Sequence, residues 1–357
     1  MESLEELKQE LKQQKTAIEN KGGTVATAHT NPSPSEITAG INSISVPNLA
    51  VATATSADVI NGKTFYAGDS KLKYGSLFNN SNVDELMDLI FQTNTMGDEY
   101  SFYFEIPAGL TTVKPYLFNE FTRPLTVTLP NNLEEIGERA FYNCTNLTLN
   151  NFYEQTQLTK IGEYAFNECH ILDLSILPSC IEVIDGFGLR SAEKECDKIV
   201  LPASLVTLDE GAFMTTIERN YDDLDLNGYS PKVLMNSVFQ RALFDCDFVI
   251  PDTVERILQM FNYRGRFNHI IIPASVTEIQ LHAFDVMSSD TVSKYVPEYI
   301  EFKGETPPEL GYQVFNRYGA DFGMIIYVPD NSVEAYKAVE NMRWYTSIIK
   351  PVSEMST

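Results

Sequence analysis

At 357 residues the chain is long enough for more than one domain, and 43% apolar residues exclude a mainly disordered protein. Acidic residues outnumber basic ones 49 to 26, a net charge of −23 that argues against phosphate-backbone and anionic-membrane partners. No apolar run reaches the roughly 18 residues of a membrane span.

Residues 1–22 read as a helix, with Leu4, Leu7, Leu11 and Ile18 on heptad core positions and Gln14 between them. Three heptads are short for an isolated coil, so this segment is either an oligomerisation helix or one that packs on its own chain. Gly22 and Gly23 end it. Its charged start, MESLEELKQELKQQK, lacks the apolar stretch of an export signal, and the expectation is a soluble protein made in the cytosol.

Residues 23–80 read as a small module. An Asn-Pro-Ser-Pro turn leads into a helix capped by Ser35, and β-formers interrupted by Asn61-Gly62 and Gly68-Asp69 predict a hairpin. Over 81–93, Ser81 supplies a cap while Val83, Leu86, Leu89 and Ile90 share one face, so 81–100 is expected to be a capping helix and linker.

From Ser101 the chain repeats every 22 to 26 residues. The segments IPAGLTTVKPYLF, LPNNLEEIGERAF, LPSCIEVIDGFGL, LPASLVTLDEGAF and IPASVTEIQLHAF align, each proline preceding a closing apolar residue by eleven positions (Pro107 to Phe118, Pro130 to Phe141, Pro178 to Leu189, Pro202 to Phe213, Pro273 to Phe284). Weaker copies close at Phe166, Phe239, Phe261 and Phe315. Such a period marks a solenoid in which each unit buries its apolar edge against its neighbours. Each unit is expected to open with a strand that its proline terminates: YSFYFEIP, RPLTVTLP, ILDLSILP, DKIVLP, CDFVIP, NHIIIP and MIIYVP. An apolar pair such as Leu133 and Ile136 follows, then a bend at Gly137 or Gly162, then a small residue (Ala140, Ala165, Ala212, Ala283) that lets rungs approach. The closing Phe residues should stack as a spine, with a distortion where Asn262 takes the spine position. The fold class is therefore a β-rich α+β solenoid of about nine turns over 101–330. Residues 331–357 form a cap, a helix starting at Asp330 or Ser332 with Val333, Tyr336 and Val339 on one side.

The unit LPNNLEEIGERAFYNC, residues 129–144, resembles the BspA-like leucine-rich repeat, and so does the ending IIYVPDNSVEAYKAVENMRWYTSIIKPV, residues 325–352. The resemblance covers about 250 residues and implies a leucine-rich-repeat solenoid, used in bacterial surface antigens and adhesins and in proteins of bacterial viruses. The N-terminal part resembles tail-fibre and baseplate modules of phages of Gram-positive hosts, on the helix ending Lys21-Gly22-Gly23, the PSEITAGINSI helix and the ADVINGKTFYAG strand. That resemblance implies a virion protein of the tail-fibre or receptor-binding class, on the phage tail or particle surface and assembled in the host cytoplasm. Its implied partners are other virion proteins, a host cell-surface glycan or protein, and copies of itself, a trimer among the options. The alternatives are a structural or decoration virion protein without a receptor role, a bacterial adhesin and a glycan-cleaving enzyme.

Surface function is expected where units vary, in the turns after the spine residue: 142–157, 214–230, 262–268 and 316–323. Within them Tyr263, Arg264, Arg266, Arg317, Tyr318 and Asp321 combine aromatics with planar cations, suited to glycan or protein surfaces; the plainer reading is that the arginines neutralise nearby acids. Asp223-Leu-Asp225-Leu-Asn227-Gly228 opens like a calcium loop but has Leu234 where a bidentate Glu belongs, so a solvated acidic loop is favoured. The acids Glu134, Glu135, Asp209, Glu210, Glu255 and Glu278 fall on outward positions, and no nucleophile elbow, phosphate loop or metalloprotease motif occurs. The expectation is a non-enzymatic protein with no catalytic residue, cofactor or metal, and no nucleic-acid or membrane partner. The five cysteines form no CxxC, and the equivalent repeat positions of Cys144 with Cys169 and of Cys196 with Cys246 predict small buried thiols.

Overall fold

The computed structural model describes residues 64–66, 72–74, 102–106, 108–260, 265–284, 296–315 and 319–355. The expected helices over 1–22, 35–45 and 81–93, and the spine position at Asn262, lie outside these residues. Thr64–Tyr66 and Leu72–Tyr74 pair antiparallel, Phe65 opposite Lys73.

From residue 102 the chain coils through about ten turns, and each coil contributes to parallel ladders. The proline-ended runs build the first. Phe102–Glu105, Leu125–Thr128 and Leu147–Asn150 form one sheet. Lys198–Val200 pairs with Asp223–Asp225. Asp247–Val249, His269–Ile272, Tyr299–Phe302, Ile325–Val328 and Ile349–Pro351 form a five-stranded sheet. Alternation sets the inward face: Ile270, Ile300, Ile326 and Ile349 lie in register, all buried. Pro130, Pro202, Pro251, Pro273 and Pro329 lie just beyond their strands, as a residue without a ladder donor should. The run ILDLSILP is an exception. Only Leu172 makes a bridge, to Glu193, because the Asp173 carboxylate takes the Ser175 amide at 2.9 Å and its hydroxyl at 2.6 Å and turns the chain.

The apolar pairs conceal a second ladder. Thr112–Val113, Glu135–Ile136, Lys160–Ile161, Val183–Ile184 and Thr207–Leu208 are two-residue parallel strands, continued by Val233–Leu234, Arg256–Ile257, Glu278–Ile279 and Glu309–Leu310. The second residue of each pair faces the core; Val113, Ile136, Ile161, Ile184, Ile257 and Ile279 are completely buried.

The third side is a ribbon of turns. Alternate amides cross to the next coil: Tyr116 to Glu138, Phe118 to Ala140 and Glu120 to Tyr142, then Arg139 to Glu163, Phe141 to Ala165 and Asn143 to Asn167, all at 2.7–2.9 Å. The amides between them close turns within the coil, as Ala140 to Gly137 and Tyr142 to Arg139, both 3.2 Å. To aim its carbonyls this way the ribbon takes left-handed conformations at Tyr116, Arg139, Tyr164 and Phe187 (φ 63°, 50°, 54°, 56°) and again four residues later at Glu120, Asn143, Glu168 and Ser191. The bend therefore falls on these residues rather than on Gly137 and Gly162. Those glycines serve close approach: a Cβ at Gly137 would lie 2.8 Å from the Val113 carbonyl and the Pro115 nitrogen.

The core is the space between the ladders. Phe118, Phe141 and Phe166 stack with centroids 5.3 Å apart and planes within 9°. Phe213 and Phe239 (6.2 Å) and Phe284 and Phe315 (5.8 Å) continue the column, with Leu189 interrupting it. Ala140, Ala165, Ala212 and Ala283 are wholly buried against adjoining coils. Cys144 and Cys169 are buried too, each thiol donating to the carbonyl of the preceding spine residue, Phe118 at 2.9 Å and Phe141 at 2.7 Å. Burial pushes the Cys144 thiol up to about 12. Cys180, Cys196 and Cys246 are part-buried, and all five are free.

At the C-terminal end the expected helix is one short turn, Val333–Lys337, between 3-10 turns. Tyr336 donates to the Gly304 carbonyl at 2.8 Å, and Tyr345 lies edge-on to Phe315. Ile349–Pro351 then returns to the sheet, so this segment both covers the last coil and adds a strand to it.

Candidate recognition surface

The segments after the spine residue hold more structure than their composition suggests. Within 142–157, Leu147–Asn150 is a strand of the first sheet. Within 214–230, Arg219–Tyr221 pairs with Ala242–Phe244, and Asp223–Asp225 pairs with Lys198–Val200. With the bridges Leu172 to Glu193 and Leu243 to Arg266, the first of these pairings makes an extra ladder along this edge of the middle coils, whereas Asp223–Asp225 joins the first ladder. Projecting turns were expected at 214–230; pairing with both neighbouring coils flattens that segment instead. A second aromatic stack lies behind it: Tyr221 on Phe244 at 5.2 Å, Phe244 on Phe267 at 4.5 Å, and Phe267 on Phe248 at 4.5 Å. The order RNYDDLD gives no alternating apolar signal for these strands.

Polar side chains link the coils along this edge. Glu168 meets Arg190 at 3.5 Å and His170 at 3.4 Å, and Arg190 donates to Asn167 at 2.8 Å. Arg219 Nε lies 3.4 Å from the Glu193 carboxylate, whose side chain is only 4% exposed. Burial, opposed by a backbone hydrogen bond and by Arg219, pushes that carboxyl up to about 7. Thr216 joins three coils: its amide donates to Ser191 Oγ at 2.9 Å, and its carbonyl accepts from Arg241 Nη1.

Of the candidate recognition residues, Arg266 stands on this edge, part-buried, 3.6 Å from Asp245 and hydrogen-bonded to Asn268 at 3.2 Å. Asp321 is exposed in a 3-10 turn, Gly319–Phe322, beyond the last spine Phe. Tyr263, Arg264, Arg317 and Tyr318 lie outside the described residues, as do Leu4, Leu7, Leu11 and Ile18.

A second surface was not anticipated. The left-handed ribbon position carries Tyr116, Arg139, Tyr164 and Phe187 in four consecutive coils. The Arg139 guanidinium lies over the rings of Tyr116, Tyr142 and Tyr164 at 5.9, 5.2 and 5.0 Å, and Tyr164 stacks on Phe187 at 4.9 Å. Phe187 then covers Gly211, where any Cβ would meet its ring at 2.3 Å. A partial signal was present, Arg139 and Tyr164 each standing two residues after a glycine, but bulky residues argue against positive φ and hid it.

Three of the six outward acids pair with cations of neighbouring coils: Glu135 with Lys160 (3.3 Å), which also meets Asp185 (3.3 Å), Glu255 with Lys232 (2.9 Å) and Glu278 with Arg256 (2.7 Å). Asp223 and Asp225 point outward from a strand rather than around a loop, and each carboxylate accepts a nearby amide, of Leu224 and Asn227. Among the described residues no group of three His, Cys, Asp or Glu side chains is placed to hold a metal ion.

The sequence matches the profile of the BspA-type leucine-rich repeat region, in six copies, over residues 99–219 and 192–292. Comparison with curated proteins found no match. Among solved structures, the chain is similar to a leucine-rich cell surface protein from Faecalibacterium prausnitzii, 18% identical over 81% of this chain and 92% of that one, with a TM-score of 0.30. It is also similar to a leucine-rich-repeat protein from Bacteroides ovatus, 15% identical over 81% and 98% of the two chains, TM-score 0.30. The profile spans more than half of the residues, and its repeats coincide with the stacked coils. The chain belongs to the BspA-type leucine-rich repeat family.

Proposed function

We propose that this chain is a non-enzymatic recognition protein carried on a phage particle, in the tail-fibre or receptor-binding class. Residues 1–100 attach it to other virion proteins, and the solenoid from 101 onward meets a glycan or protein on the host surface. The observation that carries the recognition role is the division of labour within each coil. Inward positions are nearly constant and sealed, whereas the edge after the spine residue changes in length, charge and aromatic content from coil to coil. A scaffold fixed on one side and variable on the other suits binding. The pairing of Glu135, Glu255 and Glu278 with cations of adjoining coils supports a non-catalytic role. The virion context rests on the N-terminal resemblance, and Leu4, Leu7, Leu11 and Ile18 are its oligomerisation residues.

A bacterial surface adhesin is the second reading, favoured by family membership, and it uses the same solenoid edge. Gold-labelled antibody against the chain separates the two in electron micrographs. Label on particles released by lysis supports the virion role; label on intact producing cells and none on particles supports the adhesin. Full-length chain that binds neither host cells nor their isolated walls would refute recognition in either setting. Light scattering on the full chain and on a chain lacking residues 1–22 tests the oligomer: an unchanged mass removes the helix from that role.

A further inference from the structure

Four arginines follow one another along the edge of the middle coils, and three are matched. Arg190 has Glu168, Arg219 has Glu193, and Arg266 has Asp245. Arg241 has no carboxylate within 4 Å among the described residues, and its Nε is buried without a hydrogen-bond partner. Its one hydrogen bond runs from Nη1 to the Thr216 carbonyl. It sits on the extra ladder, where the Arg219 amide donates to the Arg241 carbonyl at 3.1 Å. On a chain of net charge −23, a part-buried guanidinium without an acid is conspicuous, because desolvating an unpaired charge is costly.

Other unpartnered donors lie on the same run of coils. Buried, unpartnered polar atoms of the described residues include Arg241 Nε, Arg266 Nε, Tyr221 Oη and Asn167 Nδ2, and each is a hydrogen-bond donor. All four belong to the coils that build this edge, and backbone pairing sets Arg219, Arg241 and Arg266 on successive ones: Arg219–Tyr221 against Ala242–Phe244, and Leu243 against Arg266. The hydroxyls of Ser191 and Thr216, 3.1 Å apart, stand beside them. An excess of donors over acceptors is the complement of an oxyanion, and a guanidinium presents its donors as a fork that matches carboxylate or phosphate oxygens.

We propose that Arg241, flanked by Thr216, Arg219 and Arg266, forms a subsite for a single oxyanion, a carboxylate or a phosphate, carried by an otherwise neutral surface glycan. The subsite deepens the recognition reading and rests on it for the source of the anion. One isolated charge fits the rest of the surface, because the acidic field of the whole chain repels densely charged polymers and leaves a lone group on a neutral chain free to approach. Of the neighbouring acids, Glu168 is engaged by Arg190, by His170 and by the Thr216 hydroxyl at 3.4 Å, and burial favours the neutral form of Glu193.

Calorimetric titration of the full chain with glucuronate and with inorganic phosphate tests this, with glucose as the neutral control. Binding of either anion, about tenfold weaker in Arg241→Gln and weakened by added salt, is the expected result; glucuronate and phosphate distinguish the two sources of the charge. Phenylglyoxal labelling of the wild-type chain gives an independent reading if that variant does not fold: the anion should protect Arg241 and glucose should not. Absence of binding by both anions, or equal binding by Arg241→Gln, or no protection of Arg241, overturns the subsite. Host-cell binding is scored separately. A chain that binds the anion through Arg241 but no host cell keeps the subsite and loses the recognition reading, whereas undiminished cell binding with no anion bound does the reverse.

Discussion

Replacing Glu193 by Gln should stabilise the chain above neutral pH and leave it little changed in acid. The Glu193 side chain is only 4% exposed, and burial raises its carboxyl from an ordinary 4.5 to about 7. Below pH 4.5 the carboxyl is protonated in folded and unfolded chains alike, so ionisation costs the fold nothing. As pH rises toward 7 the unfolded chain loses this proton and the folded chain keeps it, so stability falls; above 7 the loss levels off. At 1.36 kcal/mol per pKa unit, the limiting loss is roughly 3 kcal/mol. Arg219 at 3.4 Å already opposes the shift, so its attraction is contained in that figure. A glutamine has no proton to lose. Urea unfolding of both chains between about pH 5 and pH 8 measures the difference directly, since other ionisable groups cancel in the comparison. A gap that stays flat with pH, or that turns against Glu193→Gln in alkali, would refute the reasoning.

Three further outcomes follow from the packing. Phe141→Ala, which removes a wholly buried ring stacked on both sides at 5.3 Å, should lower unfolding free energy by about 3–5 kcal/mol in denaturant titrations. A loss below about 1 kcal/mol would mean the column does not hold the coils together. Gly137→Ala places a methyl 2.8 Å from the Val113 carbonyl and should cost about 1–3 kcal/mol by the same titration, even though its φ is not left-handed. Alkylation of the native chain, read by mass spectrometry, should leave Cys144 and Cys169 untouched until the coils unfold, because both thiols are buried, bonded to spine carbonyls and raised in pKa by burial; labelling of either under native conditions contradicts their placement.

The sequence disclosed the solenoid through features the coil cannot do without: the proline at each strand end, the alanine between coils and the phenylalanine in the column. Those positions are dictated by local physics and repeat. What it hid depends on neighbouring coils. Ile136 and Ile161 read as one half of an apolar pair, yet each is a two-residue strand whose partner lies more than twenty residues away. Tyr116, Arg139, Tyr164 and Phe187 adopt a conformation that costs such residues about 1–2 kcal/mol, and inter-coil hydrogen bonds hold them there. Arg219–Tyr221 and Asp223–Asp225 looked like variable turn because their polar composition masks strands that the adjoining coils impose. Of the recognition surface, Arg266 was legible as an aromatic-flanked cation. Arg241 was not, since its distinction is the lack of an acid that its neighbours possess.

Amide hydrogen exchange across residues 137–144 tests the stacked-coil account most directly. This segment contains neither helix nor strand, and an ordinary surface turn would exchange fast. Here Arg139, Phe141 and Asn143 donate to the next coil while Ala140, Tyr142 and Cys144 donate within their own. The account predicts protection matching that of the buried strand Leu125–Thr128; exchange as rapid as at the exposed Asn227-Gly228 turn would contradict it.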